Sequence, residues 1–335
     1  MPNHSLDALT HRSAPLLKIL GCEYPIMLAG MGGVARHKLA AAVSNAGGFG
    51  VLGMVREPAA LIRSEILALR ELSQAPFAVN LIPACTNAAL LKEQVDTCLD
   101  LDVSTFVLFW EVDAALVRYL KSLGKTVIHQ VGYQRDADAA QVAGADVLIV
   151  QGQEAGGHVR GQTSTLSLLP QIIQHCDVPV VASGGIASGQ AMAAAMMLGA
   201  QGVSLGTAFL ATHEANAHLH HKQRVLAAEA DETIYTTLFA RNWHEAAPVR
   251  VLANAATRGE YDCADRDLII GHQDGQPVYI FSTDSPLLDA TGKLDDMALY
   301  CGQSCSQIST LCSAAERFQQ IAEDAAQRLN QLPWH

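Results

Sequence analysis

At 335 residues, half of them hydrophobic, the chain can bury one large core or two modest ones. Its formal net charge of −11 argues against nucleic acid or an anionic membrane as partner, since both need a basic face. The eight cysteines form no C-x-x-C pair, as suits reduced thiols in a cytoplasmic protein, and the N-terminus lacks the cationic start and apolar run of a signal peptide.

From Pro25 onward, short apolar runs alternate with amphipathic segments of helix length. Strands are expected at 25–30, 50–52, 76–81, 105–110, 126–130, 147–150, 178–183 and 202–206, and helices at 36–45, 58–72, 87–101, 113–123 and 136–143. The strands are apolar throughout instead of alternating, which marks a parallel sheet covered on both faces. Eight of them match a closed (β/α)8 TIM barrel of the α/β class. An open doubly wound sheet is the runner-up, but it usually has fewer strands, and the glycine-rich 27–35 lacks the G-x-G-x-x-G spacing with an acidic residue closing the next strand. Residues 178–212 hold no Asp, Glu, Lys or Arg, yet glycines cut the run into strand, turn, helix, turn and strand, a buried βαβ unit and not a membrane span.

The barrel pattern stops near Leu210. Residues 213–299 are more polar, too long for a loop, and read as a small, mainly helical cap inserted after strand eight, with a helix at 222–230. Beyond Ser304, apolar residues recur at Ile308, Leu311, Phe318, Ile321, Ala325 and Leu329, as in one long helix returning to the barrel. The expected domains are therefore a barrel of residues 1–212 plus 300–335 and a substrate-facing cap of 213–299.

Barrel enzymes carry their sites on loops at the C-terminal strand ends, with phosphate often held after strands seven and eight. Ser183-Gly184-Gly185 follows strand seven and Gly206-Thr207 follows strand eight, both opening helical segments whose N–H groups favour an anion. The other strand ends carry Gly30-Met31-Gly32-Gly33, Asn80, Gln130 and Gln151. After strand six comes QGQEAGGHVRG, in which Gly156 and Gly157 allow close backbone approach and His158 has an ordinary pKa near neutrality. That loop alone fits a catalytic histidine and a surface turn equally well. No lysine ends a strand, so Schiff-base chemistry lacks its nucleophile, and no carboxylate pair is spaced for sugar hydrolysis. A phosphate cradle, amides around a flat space and one histidine fit FMN better than a sugar phosphate. No metal site is expected: His218, His220 and His221 read as a solvated helix face, and Cys301 and Cys305 as packing residues. Arg241, Asn242, Trp243 and His244 are either cap residues closing over the pocket or an ordinary helix junction.

Taken together, PIMLAGMGGVA, AGGFGVLG, NLIP, QGQEAGGHVRG, PVVASGGIASG and LGTAFLAT, with Gly302-Gln303-Ser304 further on, resemble the nitronate monooxygenase family, FMN-dependent TIM barrels formerly called 2-nitropropane dioxygenases. Flavin-dependent enoyl-acyl-carrier-protein reductases share the framework. The resemblance implies Met31 and Gly32 at the flavin ring edge, Asn80 and Gln130 on the ring or ribityl chain, and Gly156 and Gly157 beside the cofactor. It places His158 at the reacting face and Gly184, Gly185, Gly206 and Thr207 on the phosphate; Gln151 and Ser183 complete the cofactor set. The implied reaction is oxidation of alkyl nitronates, and of nitroalkanes after His158 removes the α-proton, by O2 to carbonyl compounds and nitrite. Two positions depart from the commonest pattern: Gly30, where proline is frequent, and Gln130, where some branches carry lysine. These leave the electron donor open, with an NAD(P)H-dependent reductase of quinones or enoyl thioesters as one alternative and a flavin-free sugar-phosphate lyase or isomerase as another. A homodimer is compatible with the sequence, which does not decide the oligomeric state.

Overall fold

The computed structural model describes residues 6–243, 247–262, 264 and 266–331. Helix α1 (Asp7–Leu20) leads into β1 (Ile26–Leu28), α2 (His37–Asn45), β2 (Gly50–Gly53), α3 (Ala59–Leu72), β3 (Phe77–Leu81), α4 (Ala88–Asp100) and β4 (Thr105–Phe109). The chain continues through α5 (Ala114–Ser122), β5 (Thr126–Val131), α6 (Gln134–Ala143), β6 (Val147–Gln151), the two-residue β7 (Gly157–His158) and α7 (Thr165–Ile173). Then come β8 (Val180–Ser183), α8 (Gly189–Met197), β9 (Gly202–Leu205) and the short α9 (Thr207–Leu210). Eight strands form one parallel sheet in the order β1-β9-β8-β6-β5-β4-β3-β2. A parallel bridge from Met27 to Phe49, with hydrogen bonds of 2.9 Å on both sides, joins its two ends. The sheet is thus the closed (β/α)8 barrel that the buried apolar strands predict.

Alternation along the strands divides the core into two layers. Met27, Val51, Ala78, Val107, Ile128, Val147, Ile149 and Val181 fill the barrel interior with Phe49, while neighbours such as Leu28, Leu52, Val79 and Leu108 pack under the helices. Leu16 and Leu20 of α1 join the interior cluster, so the N-terminal lead-in is a plug at the lower end. Its position is pinned by Gln201, just ahead of β9, whose Oε1 accepts from Leu16 N–H at 3.3 Å. Side chains of Asn87, Asp113 and Ser188 accept N–H bonds at the starts of α4, α5 and α8, where such donors otherwise have no intrahelical partner.

Residues 213–299 depart from the mainly helical expectation. Among the described residues they hold one regular helix, α10 (Leu219–Ala227), and five short strands, β10 (Thr233–Thr236), β11 (Val249–Leu252), β12 (Ile269–Gln273), β13 (Gln276–Tyr279) and β14 (Thr291–Gly292). β10-β11-β7 and β13-β12-β14 are separate three-stranded antiparallel sheets. The overlooked signal is Asp274-Gly275: both residues have positive φ, 50° and 70°, as a two-residue hairpin turn between β12 and β13 demands. β7 belongs to the loop after β6, so the cap is hydrogen-bonded directly to the stretch that carries His158. Helix α11 (Ala314–Gln331) begins later than Ser304, because 303–307 form a 3-10 turn, and it returns onto α8, α1 and α2. Among the described residues no helix is long and apolar enough to cross a membrane.

Candidate active site

The inward alternation that buries Ala78, Ile128 and Ile149 below places Asn80, Gln130 and Gln151 one layer higher, at the C-terminal strand ends. There the interior stops being packed. A cavity of about 670 Å3 opens between barrel and cap, within the usual range for a small-molecule site. Met31, Gly32, Asn80, Gln130, Gln151, Gly156, Gly157, His158, Ser183, Gly184, Gly185, Gly206 and Thr207 all lie on its wall, so the structure brings the expected catalytic histidine and cofactor set to one place.

The wall fits a flavin nucleotide on two counts. Asn80 Oδ1, Ser204 Oγ, His158 Nε2 and Trp243 Nε1 are shut off from solvent and have no hydrogen-bond partner, although all four residues line the cavity. Such orphans cost about 1–3 kcal/mol each and are rare in folded proteins, so four on one wall point to a polar group that completes them. The second count is space. Gly157 has φ +77°, and a Cβ added there would meet nothing within 4 Å, whereas one at Gly206 would only touch Ala29 and Met31 at 3.6 Å. Gly184 and Gly185 also turn through positive φ at the end of β8.

Other residues of the wall serve the protein itself. A Cβ on Gly156 would stand 2.5 Å from Gly302 N, so this glycine is required by the returning chain. One on Gly30 would stand 2.4 Å from Asn80 Cγ, which explains why proline cannot occupy it here. Gln151 lines the cavity, but its amide spans the histidine loop, donating to His158 O at 2.9 Å and accepting from Arg160 N at 3.0 Å. Thr207 Oγ1 accepts from Gly302 N–H at 3.0 Å. Gln307 Oε1 takes the Ala187 N–H and the Ser188 hydroxyl at 3.0 and 2.9 Å, so the protein caps part of the α8 start.

His158 is held from three sides. Val249 of β11 pairs with it, and Arg250 Nε donates to Gln153 O at 3.0 Å. Glu154 caps α7 by accepting from Thr165 N and Oγ1 at 2.9 and 3.0 Å, which makes this carboxylate a brace. The imidazole stacks on Trp243 at 3.8 Å, with the Trp110 and Tyr300 rings at 6.1 and 5.9 Å. Burial, and secondarily the Arg56 charge, push the His158 pKa down to about 3, so the ring is neutral at any ordinary pH.

Three wall residues escape the sequence reading. Arg56 follows β2 with φ 57° and donates to Asn242 O and, at 3.1 Å, to Thr283 Oγ1. Tyr300 donates to Thr283 O at 2.8 Å, and burial holds its phenol well above the ordinary range. Asp284 accepts from Asn242 Nδ2 at 2.9 Å. The Arg56-Glu57 pair so close behind a barrel strand is the one signal that marked this stretch; the other two arrive from the cap. Of the cap candidates, Asn242 and Trp243 line the cavity, Arg241 turns outward over Tyr279, and His244 lies outside the described residues. The histidine run is no solvated face: His221 is fully buried, with Nε2 3.0 Å from Tyr300 O.

Comparison with known proteins shows the family of the chain. A nitronate monooxygenase family model matches residues 13–97 and 84–324. A probable nitronate monooxygenase of Staphylococcus haemolyticus is 33% identical over 271 residues, covering 67% of this chain and 75% of the relative. A (3aS,4S,5R,7aS)-5-hydroxy-7a-methyl-1-oxo-octahydro-1H-indene-4-carboxyl-CoA dehydrogenase of Rhodococcus jostii is 35% identical over 223 residues, covering 65% of this chain. The chain spans 61% of that relative's length. Among solved structures, FabK of Thermotoga maritima superposes with a TM-score of 0.82 at 28% identity, covering 94% of this chain and 97% of that one. Nitroalkane oxidase of Streptomyces ansochromogenes does so with a TM-score of 0.77 at 26% identity, covering 94% and 99%. The barrel with a cavity at its C-terminal strand ends is an α/β TIM-barrel scaffold. The chain belongs to the nitronate monooxygenase family, a family of flavin-dependent enzymes.

Proposed function

We propose that the protein is an FMN-dependent nitronate monooxygenase that oxidises alkyl nitronates with O2 to carbonyl compounds and nitrite. The observation that carries this reading is His158, a neutral imidazole with an orphaned Nε2 on the same wall as the orphaned atoms of Asn80 and Ser204. When bound, the flavin supplies the route by which electrons pass from nitronate to O2. Backbone N–H groups of Gly184, Gly185, Gly206 and Thr207 hold its phosphate. Asn80 and Gln130 meet its ring or ribityl chain, Met31 and Gly32 its ring edge, and Gly157 lets it lie against the backbone. Gln151 and Ser183 frame the same wall, Gln151 by keeping the His158 loop in place.

His158 then faces the substrate. A neutral imidazole accepts a proton, but the burial that keeps it neutral also penalises the imidazolium unless an anion stays beside it. Taking the α-proton from a neutral nitroalkane leaves such an anion, while a nitronate that arrives ionised needs no transfer at all. The site therefore suits nitronates best and nitroalkanes second. The seven cysteines among the described residues are all free, which supports a cytoplasmic setting. The test is the visible spectrum of the purified protein, followed by O2 uptake and nitrite release with propyl-2-nitronate. A colourless protein that takes up no FMN, or a flavoprotein inert toward nitronates, overturns the reading.

The similarity to FabK and to the CoA-ester dehydrogenase favours one alternative, an NAD(P)H-dependent reductase on the same scaffold. Anaerobic NADH or NADPH separates the two: rapid bleaching of the flavin selects the reductase.

A further inference from the structure

Two arginines line the cavity, and they differ in one respect. Arg36 forms an ion pair with Glu57 at 2.7 Å. Arg56 forms none among the described residues; the partners it has, the Asn242 carbonyl and the Thr283 hydroxyl, are neutral. The wall also carries the carboxylates of Glu57, Asp274 and Asp284; Glu57 pairs with Arg36, and Asp284 accepts from Asn242 Nδ2. A guanidinium has five N–H donors in a planar fork, and the two contacts of Arg56 use two of them.

The charge of Arg56 nevertheless reaches the chamber, where it acts on His158 and on Tyr300. The chamber that it lines also carries Ile82, Phe109 and Trp243, members of one buried apolar cluster against which Val55, the residue before Arg56, is packed. Beside such an apolar wall a charge pair is screened less than in open water, so an anion that meets the guanidinium is held more strongly. The backbone adds a third sign. Arg56 keeps a left-handed φ of 57°, a conformation that non-glycine residues adopt at a cost and that persists where the surroundings impose it, often at ligand sites.

We propose that Arg56 is the anion-binding residue of this chamber, gripping the planar two-oxygen anionic group of the substrate beside His158 and so selecting ionised substrates over neutral ones of equal size. A nitronate and a carboxylate both present two coplanar oxygens, the shape that a guanidinium fork binds. The proposal builds on the nitronate reading by naming what recognises the negative charge, but anion binding is measurable without turnover.

The experiment is isothermal titration calorimetry of the FMN-loaded protein with propionate, and with propanamide as its uncharged counterpart. Wild type is expected to bind propionate saturably and at least tenfold more tightly than propanamide. Arg56→Met should lose about 10- to 150-fold in propionate affinity, the worth of a charge-assisted hydrogen bond, while Arg56→Lys keeps part of it. The FMN dissociation constant of both variants should stay within about twofold of wild type. Absence of saturable propionate binding to wild type overturns the proposal. So does equal propionate affinity in Arg56→Met, or a parallel loss of FMN, which would make Arg56 a support of the cap. Nitronate turnover is assayed separately: an enzyme inert toward nitronates that still binds propionate through Arg56 loses the reaction and keeps the subsite.

Discussion

The two ends of the barrel are made from the same strands and treat their interiors in opposite ways. Below, Met27, Phe49, Ala78, Ile128 and Val181 meet Leu16 and Leu20 of α1 in one buried apolar cluster. Above, two residues further along β3, β5 and β6, the inward positions become Asn80, Gln130 and Gln151, and the wall holds orphaned polar atoms around an open cavity. Burying one apolar side chain contributes about 1.5–3 kcal/mol, whereas each orphan above subtracts about 1–3. The difference teaches that the lower end carries stability for the upper, where polar atoms are left without partners in the protein. The cap follows the upper pattern, since β7 and β11 commit its backbone to holding His158.

Substitutions can break that division of labour, and the largest effect belongs to the upper end. His158→Ala should reduce turnover of neutral nitroalkane by about 100- to 10,000-fold, the range for a lost acid–base group, and leave nitronate turnover within tenfold. Steady-state O2 uptake with each substrate measures both, and equal losses on the two would remove the proton-transfer role. Next in size is Phe49→Ala in the packed end, fully buried in the wild type, which should lower unfolding free energy by about 3–5 kcal/mol in denaturant titration. Flavin affinity of the folded fraction should hold. If flavin affinity drops in step with stability, the two ends are not separable.

The pH dependence of stability sharpens the comparison. Burial pushes His129 and His221 down to about 4 and His158 to about 3, from an unfolded value of 6.5. The unfolded chain therefore binds protons that the native state refuses. Stability is at its full value above pH 6.5 and is lost as pH falls toward 4, with a slope of up to about 1.4 kcal/mol per pH unit for each histidine. Denaturant midpoints between pH 4.5 and 7 check this. His129→Gln, which replaces a side chain on the helix-facing side of β5, should flatten the curve without touching the chamber; a flat wild-type curve would mean that these rings are open to water.

The barrel is legible in the sequence because each strand is a short apolar run closed by a glycine or polar residue at the right spacing. The wall is legible for the same reason, since strand ends can be counted. What could not be counted is anything made by distant pairing. Val249 with His158, Ala217 with Leu287, and Gln307 on Gly185 each join residues far apart in the chain. Individually these cap segments are too short and polar to show a strand period; only Asp274-Gly275 advertised its hairpin. Tyr300 and Asp284 reach the site along those pairings. Arg56 needed no such pairing, and a loop read three residues beyond Gly53 would have included it.

The smallest predicted effect tests the contrast most directly. Ser204 sits on β9 at the level where the interior changes character, and its Oγ has no partner in the chain. In a finished core, Ser→Ala removes a satisfied hydroxyl and costs stability. Here it removes an unsatisfied one, so Ser204→Ala should leave the flavin-free protein as stable as wild type or raise it by up to about 1 kcal/mol. The loss should appear in flavin binding instead, as a severalfold weaker dissociation constant equivalent to one neutral hydrogen bond of about 0.5–1.5 kcal/mol. Thermal unfolding of the flavin-free protein and a fluorescence titration with FMN read the two quantities independently. A variant that loses stability and keeps its flavin affinity would show that the hydroxyl belongs to the core, and the boundary between the two ends would move up by one layer.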